Sequence, residues 1–520
     1  MASLLVGILT VLLSLFLVWQ YGKTRKRKPG EPPLETGWMP FIGLALDYGR
    51  NPLGFLQDMQ RKHGNVFTCK IAGKYLTFIT DPFSFSSVVR QGKNLDFQKF
   101  AMGFSQRVFG HADFNSPMLS ESYKEVHSIF RQTLQGPPLQ QLTQSMLGNL
   151  QTVLSQDSQR GHGWQEEGLQ SFTNRIMFEA GFLTLFGQEA ELPKLRGVAK
   201  AGSFIRKTVR DFLMFDKAFP ALAAGVPISL CLSAWRAREA LASELKHSGL
   251  QRRNCISALI QRRMDAFDRM RLDETGKART HVCMLWASQA NTLPAAFWSL
   301  YYTLRSPAAL DAALSEINRV LQESEEPLDD PSQLISLTRE QLESMTVLDS
   351  IIAEALRLSS ASIMIRVANE DFVLTLDSGE QVAIRKGDYI CLYPQLIHMD
   401  PEVYPNPTEF QFDRYLEADG KKKSSFFKAG RRLRHFLIPF GSGASECPGR
   451  FFAVNEIKEF LTLALWHYDL ELSNPDATLA PDCARAGLGI LPPSRDVLLR
   501  YRVRERGGTP CRHKEEKREE

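Results

Sequence analysis

The spacing of apolar residues divides the first half of the chain into an apolar start and a long, mainly helical body. Residues 2–21 contain no charged residue. Residues 52–275 place apolar side chains at the three- and four-residue intervals of amphipathic helices, and a β-rich run over residues 75–80 interrupts them. This half therefore predicts helices with a small strand component.

The second half continues the helical pattern and adds short strands. Apolar helices are predicted over residues 285–298 and 347–358, and another long helix after residue 449. Strand-like runs within residues 371–393 are separated by glycines, whereas the recurring prolines of residues 394–407 predict loops. The whole pattern predicts a mainly α protein with a minor β region, in the α+β class.

Residues 1–21 are predicted to form a transmembrane signal-anchor. Twenty residues at a rise of about 1.5 Å cover about 30 Å, the thickness of the hydrocarbon core. Trp19 and Tyr21 lie where interfacial aromatic residues occur. The basic residues follow the apolar stretch instead of preceding it, which predicts a single-pass anchor with a cytosolic catalytic domain and disfavours a cleaved signal. These residues are Lys23, Arg25, Lys26, Arg27 and Lys28.

Composition predicts three further segments and excludes some classes of function. Residues 22–45 are basic and proline-rich, which predicts a stiff linker. Residues 46–506 are predicted to form one catalytic domain, and residues 507–520 a polar, disordered tail. The net charge of +5 over 520 residues does not favour a nucleic-acid partner. The eight cysteines are dispersed without a CxxC pair, which argues against a disulfide framework or a zinc cluster.

Residues 440–450 have the composition of a cofactor-binding turn and read FGSGASECPGR. Their glycines permit positive φ angles and a close approach of the backbone to a flat ligand. Cys447 precedes the predicted helix, whose N-terminal amides stabilise a thiolate, and Pro448 suits an early helical position. A thiolate held in this way can donate electron density to haem iron and favour cleavage of the O–O bond.

This run resembles the haem-binding signature F-x-x-G-x-x-x-C-x-G of the cytochrome P-450 superfamily. The resemblance implies a cytochrome P-450 fold, preceded here by the transmembrane helix, with Cys447 as the axial ligand of the haem iron. It also implies that Phe440, Gly443 and Gly449 lie beside the haem. The superfamily usually has a basic residue two positions before the cysteine, where this chain has Ser445, so no propionate contact is expected there.

Further residues resemble superfamily positions in the same order along the chain. Glu354 and Arg357 have the i,i+3 spacing of an ion pair on one helix face, and with Arg414 they resemble the buried structural ion-pair cluster. Arg366 resembles the arginine that binds a haem propionate. Another haem contact is expected before residue 140, and its candidates are Lys124, His127 and Arg131.

Dioxygen chemistry is expected on the helix of residues 285–298, where the superfamily usually has an acid followed by a threonine. This chain has Asn291 followed by Thr292, and Pro294 predicts a nearby kink. As catalytic residues the two would hold water, although an asparagine amide cannot deliver a proton. The alternative is that Asn291 or Gln289 hydrogen-bonds a polar group of the substrate.

Several segments resemble the family-seven microsomal sterol hydroxylases. They are residues 286–292, 357–361 and 486–493, while residues 178–181 and 215–219 favour the branch that acts on cholesterol. This resemblance implies 7α-hydroxylation of a membrane-borne sterol, cholesterol, in bile acid biosynthesis at the endoplasmic reticulum membrane. It also implies haem b, dioxygen, and electrons from NADPH through cytochrome P-450 reductase.

Other functions stay open at the level of sequence. Within the superfamily they are an oxysterol 7α-hydroxylase, a sterol 12α-hydroxylase, and an isomerase similar to prostacyclin synthase that needs no NADPH. The missing acid beside Thr292 favours the isomerase. A haem-binding gas or redox sensor would show no turnover at all. The basic residues within 421–434 predict either a docking site for the reductase or a solvated surface insertion.

Overall fold

The computed structural model of the chain describes most of its residues. The described ranges are 2–22, 25–39, 41–114, 120–158, 163–189, 197–323, 334–476 and 478–504. The tail predicted over residues 507–520 lies outside them, as do residues 23–24 of the predicted linker.

Helices make up most of the described chain, as the apolar periodicity predicts. In chain order the α-helices are α1 (Ala2–Gly22), α2 (Ala45–Arg50), α3 (Pro52–His63), α4 (Phe85–Val89), α5 (Phe97–Phe109), α6 (Ser120–Thr133), α7 (Gly136–Ser158), α8 (Leu169–Phe186), α9 (Gly197–Lys217), α10 (Phe219–Ala223), α11 (Leu232–Glu244), α12 (His247–Leu250), α13 (Ala258–Arg269), α14 (Glu274–Gln289), α15 (Thr292–Arg305), α16 (Pro307–Gln322), α17 (Arg339–Ser344), α18 (Thr346–Ser359), α19 (Gln395–His398) and α20 (Arg450–His467). Single turns of 3-10 helix occur at Ile228–Leu230, Gly443–Ser445 and Cys483–Arg485.

Short strands form the minor β region. In chain order they are β1 (Leu34–Glu35), β2 (Val66–Ile71), β3 (Lys74–Ile79), β4 (Leu95–Asp96), β5 (Gln165–Gly168), β6 (Gln188–Glu189), β7 (Arg253–Asn254), β8 (Met364–Ala368), β9 (Phe372–Thr375), β10 (Gln381–Ile384), β11 (Tyr389–Leu392), β12 (Phe427–Lys428), β13 (Arg431–Arg432), β14 (Tyr468–Leu472) and β15 (Leu498–Val503). The run predicted over residues 75–80 corresponds to β3, and the runs within 371–393 to β9, β10 and β11.

The largest sheet has six strands in the order β1-β2-β3-β11-β8-β4. β2 and β3 form an antiparallel hairpin, whereas β3 and β11 run parallel, which requires the long helical connection between them. β11 pairs antiparallel with β8, in a register that places Ile390 opposite Arg366. The sheet thereby fixes the position of Arg366, one of the residues predicted to bind the cofactor.

The main hydrophobic core is formed by the long helices, which contribute fully buried side chains such as Phe172 of α8, Trp298 of α15, Ile351 of α18 and Phe460 of α20. A second core packs against the sheet around Ile390. The helices predicted over residues 347–358 and after residue 449 are α18 and α20, so the predicted ion pair of Glu354 and Arg357 and the chain that follows Cys447 lie on helices of one core.

The helix predicted over residues 285–298 is interrupted. α14 ends at Gln289 and α15 begins at Thr292, so the break lies at Ala290 and Asn291, before the kink predicted near Pro294. The physical reason is that Pro294 has no amide hydrogen for the carbonyl of Ala290, its i−4 partner, so that carbonyl loses its helical hydrogen bond.

The N-terminal segment forms the helix α1, on which apolar side chains such as Leu9, Leu13 and Phe16 are exposed. No helix of the described residues is both long and apolar enough to cross a membrane. Met1 and the side chains of residues 2–5, 17 and 20–22 lie outside the described part of the predicted span.

Candidate active site

The loop over residues 440–449 presents Cys447 to the interior. Gly443 has a φ of +64°, and a Cβ atom there would lie 2.5 Å from Cγ1 of Val89, closer than van der Waals contact allows. The amide of Cys447 donates a hydrogen bond of 2.8 Å to the carbonyl oxygen of Phe440, which closes the loop. The tight turn predicted from the glycines is therefore present.

The Cys447 thiol lies three residues before the first residue of α20. Burial raises the pKa of the thiol, while the backbone amide of Gly449 and the charge of Arg450 lower that pKa. Gly449 lies beside the thiol, since a Cβ atom there would be 3.9 Å from the Cys447 sulfur, in ordinary van der Waals contact with it. This arrangement suits a cysteine that binds a ligand through its sulfur.

Arg366 of β8 is a buried cation, only 2% exposed. Its Nη2 donates to the carbonyl oxygen of Ser442 at 3.2 Å and to the hydroxyl of Ser445 at 3.1 Å, but its Nη1 has no hydrogen-bond partner among the described protein atoms. Burial lowers the pKa of the Arg366 guanidinium, and no carboxylate of the described chain opposes that effect. A buried charge of this kind requires an anion.

These residues fit the haem predicted from the sequence. Cys447 offers a sulfur ligand, and Arg366, which is bonded to the same loop through Ser442 and Ser445, offers an unpartnered Nη1 to a carboxylate of the group. Ser445, which replaces the usual basic residue, accepts a hydrogen bond from Arg366 and so holds that arginine against the cysteine loop.

Glu354, Arg357 and Arg414 form one fully or nearly fully buried ion-pair cluster. Arg357 contacts both carboxylate oxygens of Glu354 at 2.7 Å, and Nε of Arg414 donates to Glu354 at 2.8 Å. Arg357 also donates to the carbonyl oxygens of His398 and Pro407 at 2.6 Å. The cluster therefore fastens the irregular segment of residues 394–414 onto α18.

Thr292 lies at the start of α15 and is 7% exposed. Its hydroxyl donates a hydrogen bond of 3.1 Å to Oε1 of Glu456, a fully buried residue of α20. Burial raises the pKa of the Glu456 carboxyl to about 8, and the hydrogen bond from Thr292 opposes this rise. Glu456 can therefore hold a proton near neutral pH next to the predicted catalytic threonine.

Asn291 is held against the chain that follows α20 and β14. Its Oδ1 accepts a hydrogen bond of 3.0 Å from the amide of Ile490. Gly489 lies against the same side chain, because a Cβ atom there would be 2.1 Å from that oxygen. The amide nitrogen of Asn291 is thus the group left to face water or a substrate.

The three segments that resemble sterol hydroxylases meet at this point. Besides the contact of Asn291 with Ile490, the amide of Ala361 donates to the carbonyl oxygen of Gly489 at 2.9 Å, and the amide of Gly487 donates to that of Ala361 at 2.7 Å. Residues 286–292, 357–361 and 486–493 therefore form one wall, although they are far apart in the sequence.

Other predicted site residues lie elsewhere. Gln289 is 1% exposed and packs against Gly181 of α8, since a Cβ atom at Gly181 would lie 2.4 Å from its amide nitrogen. The Asn291 side chain instead contacts Gly489 and Ile490, so the two side chains have different neighbours. The three candidates for a further haem contact on α6 are all exposed; they are Lys124, His127 and Arg131.

Sequence patterns did not reveal Glu456, Asp216 or Arg485. Glu456 is nine residues after Cys447 and stands close to Asn455, Lys458 and Glu459, so nothing in the local sequence sets it apart. Asp216 lies within the segment 215–219 noted for its resemblance, but its partners are distant along the chain. Long-range polar pairs leave no periodic trace in a single sequence.

Comparisons with known proteins agree with this geometry. The family model described as Cytochrome P450 matches residues 32–499. Cytochrome P450 7A1 of Oryctolagus cuniculus is 47% identical over 94% of this chain and 96% of its own. Cholesterol 7-alpha-monooxygenase of Cricetulus griseus is 47% identical over the same shares. Prostacyclin synthase of Rattus norvegicus is 37% identical over 92% of this chain and 95% of its own.

The mainly helical fold with its minor sheets, together with a cysteine loop beside a buried arginine, is that of a haem-thiolate protein. The chain belongs to the cytochrome P450 family, and it is an oxidoreductase of the monooxygenase type that works with haem iron, dioxygen and electrons from a reductase.

Proposed function

We propose that this protein hydroxylates cholesterol at the 7α position, as the start of bile acid biosynthesis. The observation that carries the proposal is the wall formed by residues 286–292, 357–361 and 486–493, because all three segments were singled out for their resemblance to sterol hydroxylases. The names of the relatives that are 47% identical support the same reaction.

The proposed cofactor is haem b. Cys447 would supply the thiolate ligand of its iron, Phe440, Gly443 and Gly449 would form the loop that holds the group, and Arg366 would pair with one of its carboxylates. When bound, thiolate-ligated haem supplies the activation of dioxygen that allows an oxygen atom to enter a C–H bond.

The chain's own residues would hold protons and water at Thr292 and Glu456. Thr292 holds its hydroxyl in a hydrogen bond to Glu456, and the raised pKa of Glu456 lets this carboxyl store a proton close to Thr292. Asn291 cannot donate a proton in this way, since its Oδ1 is occupied by Ile490 and its nitrogen is an amide.

Asn291 has two possible roles in this scheme. It either orders water for Thr292 or hydrogen-bonds a sterol oxygen through its Nδ2. Asn291→Asp separates them: a water-ordering role predicts a change in the share of consumed dioxygen that yields product, with sterol affinity retained. Weaker sterol binding would assign Asn291 to the substrate. Gln289 stays a candidate from the sequence, without support from its packing against Gly181.

The proposed electron donor is NADPH, through cytochrome P-450 reductase. Most basic residues of the 421–434 segment are exposed, which supports docking of an acidic partner. Some of these charges already have acidic neighbours, as with Lys422 and Asp349 or Arg431 and Asp377. Charge reversal at Arg431 and Arg432 should slow reductase-driven turnover at low salt, and unchanged turnover would remove this role.

The proposed location is the endoplasmic reticulum membrane, with α1 as the anchor and the catalytic domain in the cytosol. The uncharged sequence of residues 2–21 and the basic residues after it support this location. Exposed apolar side chains on the folded domain also suit contact with lipid; they include Trp38, Phe41, Leu230, Leu232 and Trp235. A sterol could then reach the enzyme from the bilayer.

Two measurements test the proposal. Reduced protein with carbon monoxide should give the red-shifted Soret band of a thiolate ligand, and Cys447→Ser should lose it while the exposed Cys483→Ser keeps it. Protein with that band should then convert cholesterol in vesicles to its 7α-hydroxy product with NADPH and reductase. Absence of the band in folded, haem-loaded protein would contradict Cys447 as the thiolate ligand. Hydroxylation of an oxysterol would change the proposed substrate, and hydroxylation at position 12 would change the proposed site of reaction.

An isomerase that needs no NADPH is the second candidate, because Asn291 stands where an acid is usual and a prostacyclin synthase is 37% identical to the chain. Rearrangement of an endoperoxide in the absence of NADPH and reductase, without any sterol product, would favour it over the hydroxylase.

A further inference from the structure

A cleft with a volume of about 740 Å³ lies between the start of α7, the short helix α17 and the first half of α20. Small-molecule sites in proteins have volumes of about 300–1,000 Å³. The described residues that line the cleft include none that is assigned above to the haem, the proton store or the substrate. The cleft is therefore a second place where a small molecule would fit.

Side-chain hydrogen bonds fix the helices around the cleft. Asn455 of α20 donates from its Nδ2 to the hydroxyl of Thr143 in α7 at 3.4 Å. Lys458 of α20 donates from its Nζ to the carbonyl oxygen of Leu342 in α17 at 2.6 Å. Since these residues all line the cleft, its shape is set by the packing of the folded protein and does not require a rearrangement.

One wall of the cleft is apolar. Phe451 is 49% exposed, although it lies in a concave part of the surface and the guanidinium of Arg450 is 4.3 Å from its ring centroid. The half-buried side chains of Leu139 and Val454 also line the cleft. Covering this apolar surface would be favourable, so the wall suits a hydrocarbon group.

Two lysines of the cleft share one acid. Nζ of Lys458 lies 2.6 Å from Oδ1 of Asp349, and Lys422 pairs with Oδ2 of the same carboxylate. Asp349 is the one acid within ion-pair distance of either lysine among the described residues. The two lysines thus carry one positive charge in excess. Lys458 is 3% exposed, whereas the Lys422 side chain is 55% exposed and can offer this charge to a ligand.

Arg450 adds a further cation at the edge of the cleft. Its Nη1 donates to the carbonyl oxygen of Cys447 at 3.1 Å and lies 3.4 Å from the carboxylate of Glu446. Cations outnumber acids among the lining residues by four to two; the cations are Arg339, Lys422, Arg450 and Lys458, and the acids are Glu343 and Asp349. This charge distribution complements an anion.

We propose that the cleft binds an amphiphilic carboxylate of the fatty-acid class, with its acid group paired to Lys422 and Arg450 and its alkyl chain against Phe451 and Val454. Both parts of the ligand are needed. A small inorganic anion would leave the apolar wall uncovered, and a neutral lipid would leave the excess positive charge without a counter-ion.

Occupancy of the cleft has a consequence for electron delivery. Lys422 belongs to the basic segment 421–434, for which docking of the reductase is proposed above. A carboxylate on Lys422 cancels one of the charges that attract an acidic partner, so the occupied cleft slows docking. This step alone rests on the proposed function, because it takes the reductase as the electron donor.

Equilibrium dialysis of radiolabelled laurate against the full-length, haem-loaded protein tests the site directly. Laurate, kept below the concentration at which it forms micelles, should bind about 3- to 10-fold tighter than the neutral dodecanol, and added salt should reduce this difference. Equal affinity for the acid and the alcohol would contradict an anion site and overturn the proposal.

Surface substitutions assign the binding to the cleft. Gln140→Glu adds a negative charge on the lining of the cleft, and Lys422→Gln removes a cation, so each should weaken laurate binding about 3- to 10-fold and leave dodecanol unchanged. The matched controls are Gln141→Glu and Lys421→Gln, which change the neighbouring exposed residues outside the lining and should bind laurate like the parent. The carbon monoxide spectrum checks that all four variants are folded.

Equal laurate affinity in the parent and in both cleft variants would place the fatty acid elsewhere in the protein, such as the candidate active site. That outcome would overturn the proposal.

The consequence for electron delivery is measured without any sterol. Reductase and NADPH should reduce the haem, followed as its carbon monoxide complex, about 3-fold more slowly when laurate is present, and Gln140→Glu should lose this effect at the same laurate concentration. An unchanged rate with laurate bound in the cleft would overturn the coupling to docking. If the reductase does not reduce the protein even without laurate, the proposed electron donor is wrong, while the dialysis still decides whether the site exists.

Discussion

At the scale of single residues, the site is marked by charged groups that the chain itself leaves unbalanced. Arg366 is buried with a free Nη1, and Glu456 is a fully buried carboxyl whose one described hydrogen-bond partner is the hydroxyl of Thr292. Groups in such surroundings cost stability unless they serve a ligand or a proton. Both lie next to residues that the cysteine motif or the helix break brings to the site.

The raised pKa of Glu456 predicts a pH-dependent stability. Its folded-state pKa of about 8 exceeds the ordinary value of 4.5, because burial disfavours the charge. The resulting stabilisation is complete below about pH 4.5 and is lost as the pH rises through about 8. Glu456→Gln, which cannot ionise, should therefore gain stability relative to the parent between about pH 5 and pH 9, by several kcal/mol in urea denaturation.

The exposed Glu323→Gln serves as the control, because that residue lies on the surface in an ion pair with Arg319. An equal pH profile for the parent and Glu456→Gln would mean that this carboxyl is not protonated in the folded protein.

Arg366→Met should affect haem-loaded and haem-free protein in opposite directions. Loss of a charge-assisted hydrogen bond of about 1.5–3 kcal/mol should speed haem loss by about 10- to 150-fold, measured by transfer to apomyoglobin. The haem-free protein should be no less stable, since removal of an unpaired buried cation relieves its desolvation. The exposed Arg432→Met is the control and should lose haem at the parent rate. The same parent rate in Arg366→Met would refute a propionate contact.

At the scale of elements, irregular segments become rigid by hydrogen bonding to helices. The loop of residues 394–414 is held on α18 by Arg357, which donates to the carbonyl of His398, and by Glu354, which accepts from Arg414. The wall segment 486–493 is held on α15 by Trp298, whose indole donates to the carbonyl of Leu491 at 2.7 Å. Buried arginines and aromatic donors therefore substitute for regular backbone pairing.

Arg357→Lys should be strongly destabilising although the charge is kept. Lysine cannot reproduce the two parallel hydrogen bonds to Glu354 together with the carbonyl contacts, so the cost should be about 3–5 kcal/mol in urea denaturation. Arg319→Lys provides the comparison, because its pair with Glu323 is exposed and should cost below about 1 kcal/mol. Similar small costs for both would contradict a structural role for the buried cluster.

At the scale of the whole molecule, the linker after α1 is tied to the sheet. Arg25 contacts both carboxylate oxygens of Asp388 at 2.6 Å and lies 4.2 Å from the ring centroid of Tyr75. Arg385 pairs with the 6% exposed Glu31. These contacts fix where the chain leaves the catalytic domain, and so the direction from which the proposed anchor reaches it.

Arg25→Ala should release this linker without unfolding the catalytic domain. Trypsin should then cleave after Lys26 and Arg27 about tenfold faster, while the carbon monoxide spectrum is retained. Asp388→Asn should act in the same way, because it removes the same pair, and the exposed Arg50→Ala should not. Equal cleavage of Arg25→Ala and the parent would mean that the linker is held by other contacts.

Local patterns predicted a large part of this architecture. Periodicity was sufficient for α18, α20 and β3, because amphipathic helices and alternating strands repeat over short distances. The cysteine motif predicted the tight loop at Gly443 for the same reason. The kink predicted near Pro294 is a break at Ala290 and Asn291, because Pro294 removes the hydrogen bond of the Ala290 carbonyl.

The sequence by itself determined the fold class, the family and the identity of the cysteine loop, because these depend on residue types at fixed local spacings. Only the tertiary structure decided that Glu456 meets Thr292 across 164 residues and that Asp216 meets Arg485 across 269. Such pairs depend on how helices pack against each other, and packing of buried side chains has no one-dimensional signature in a single chain.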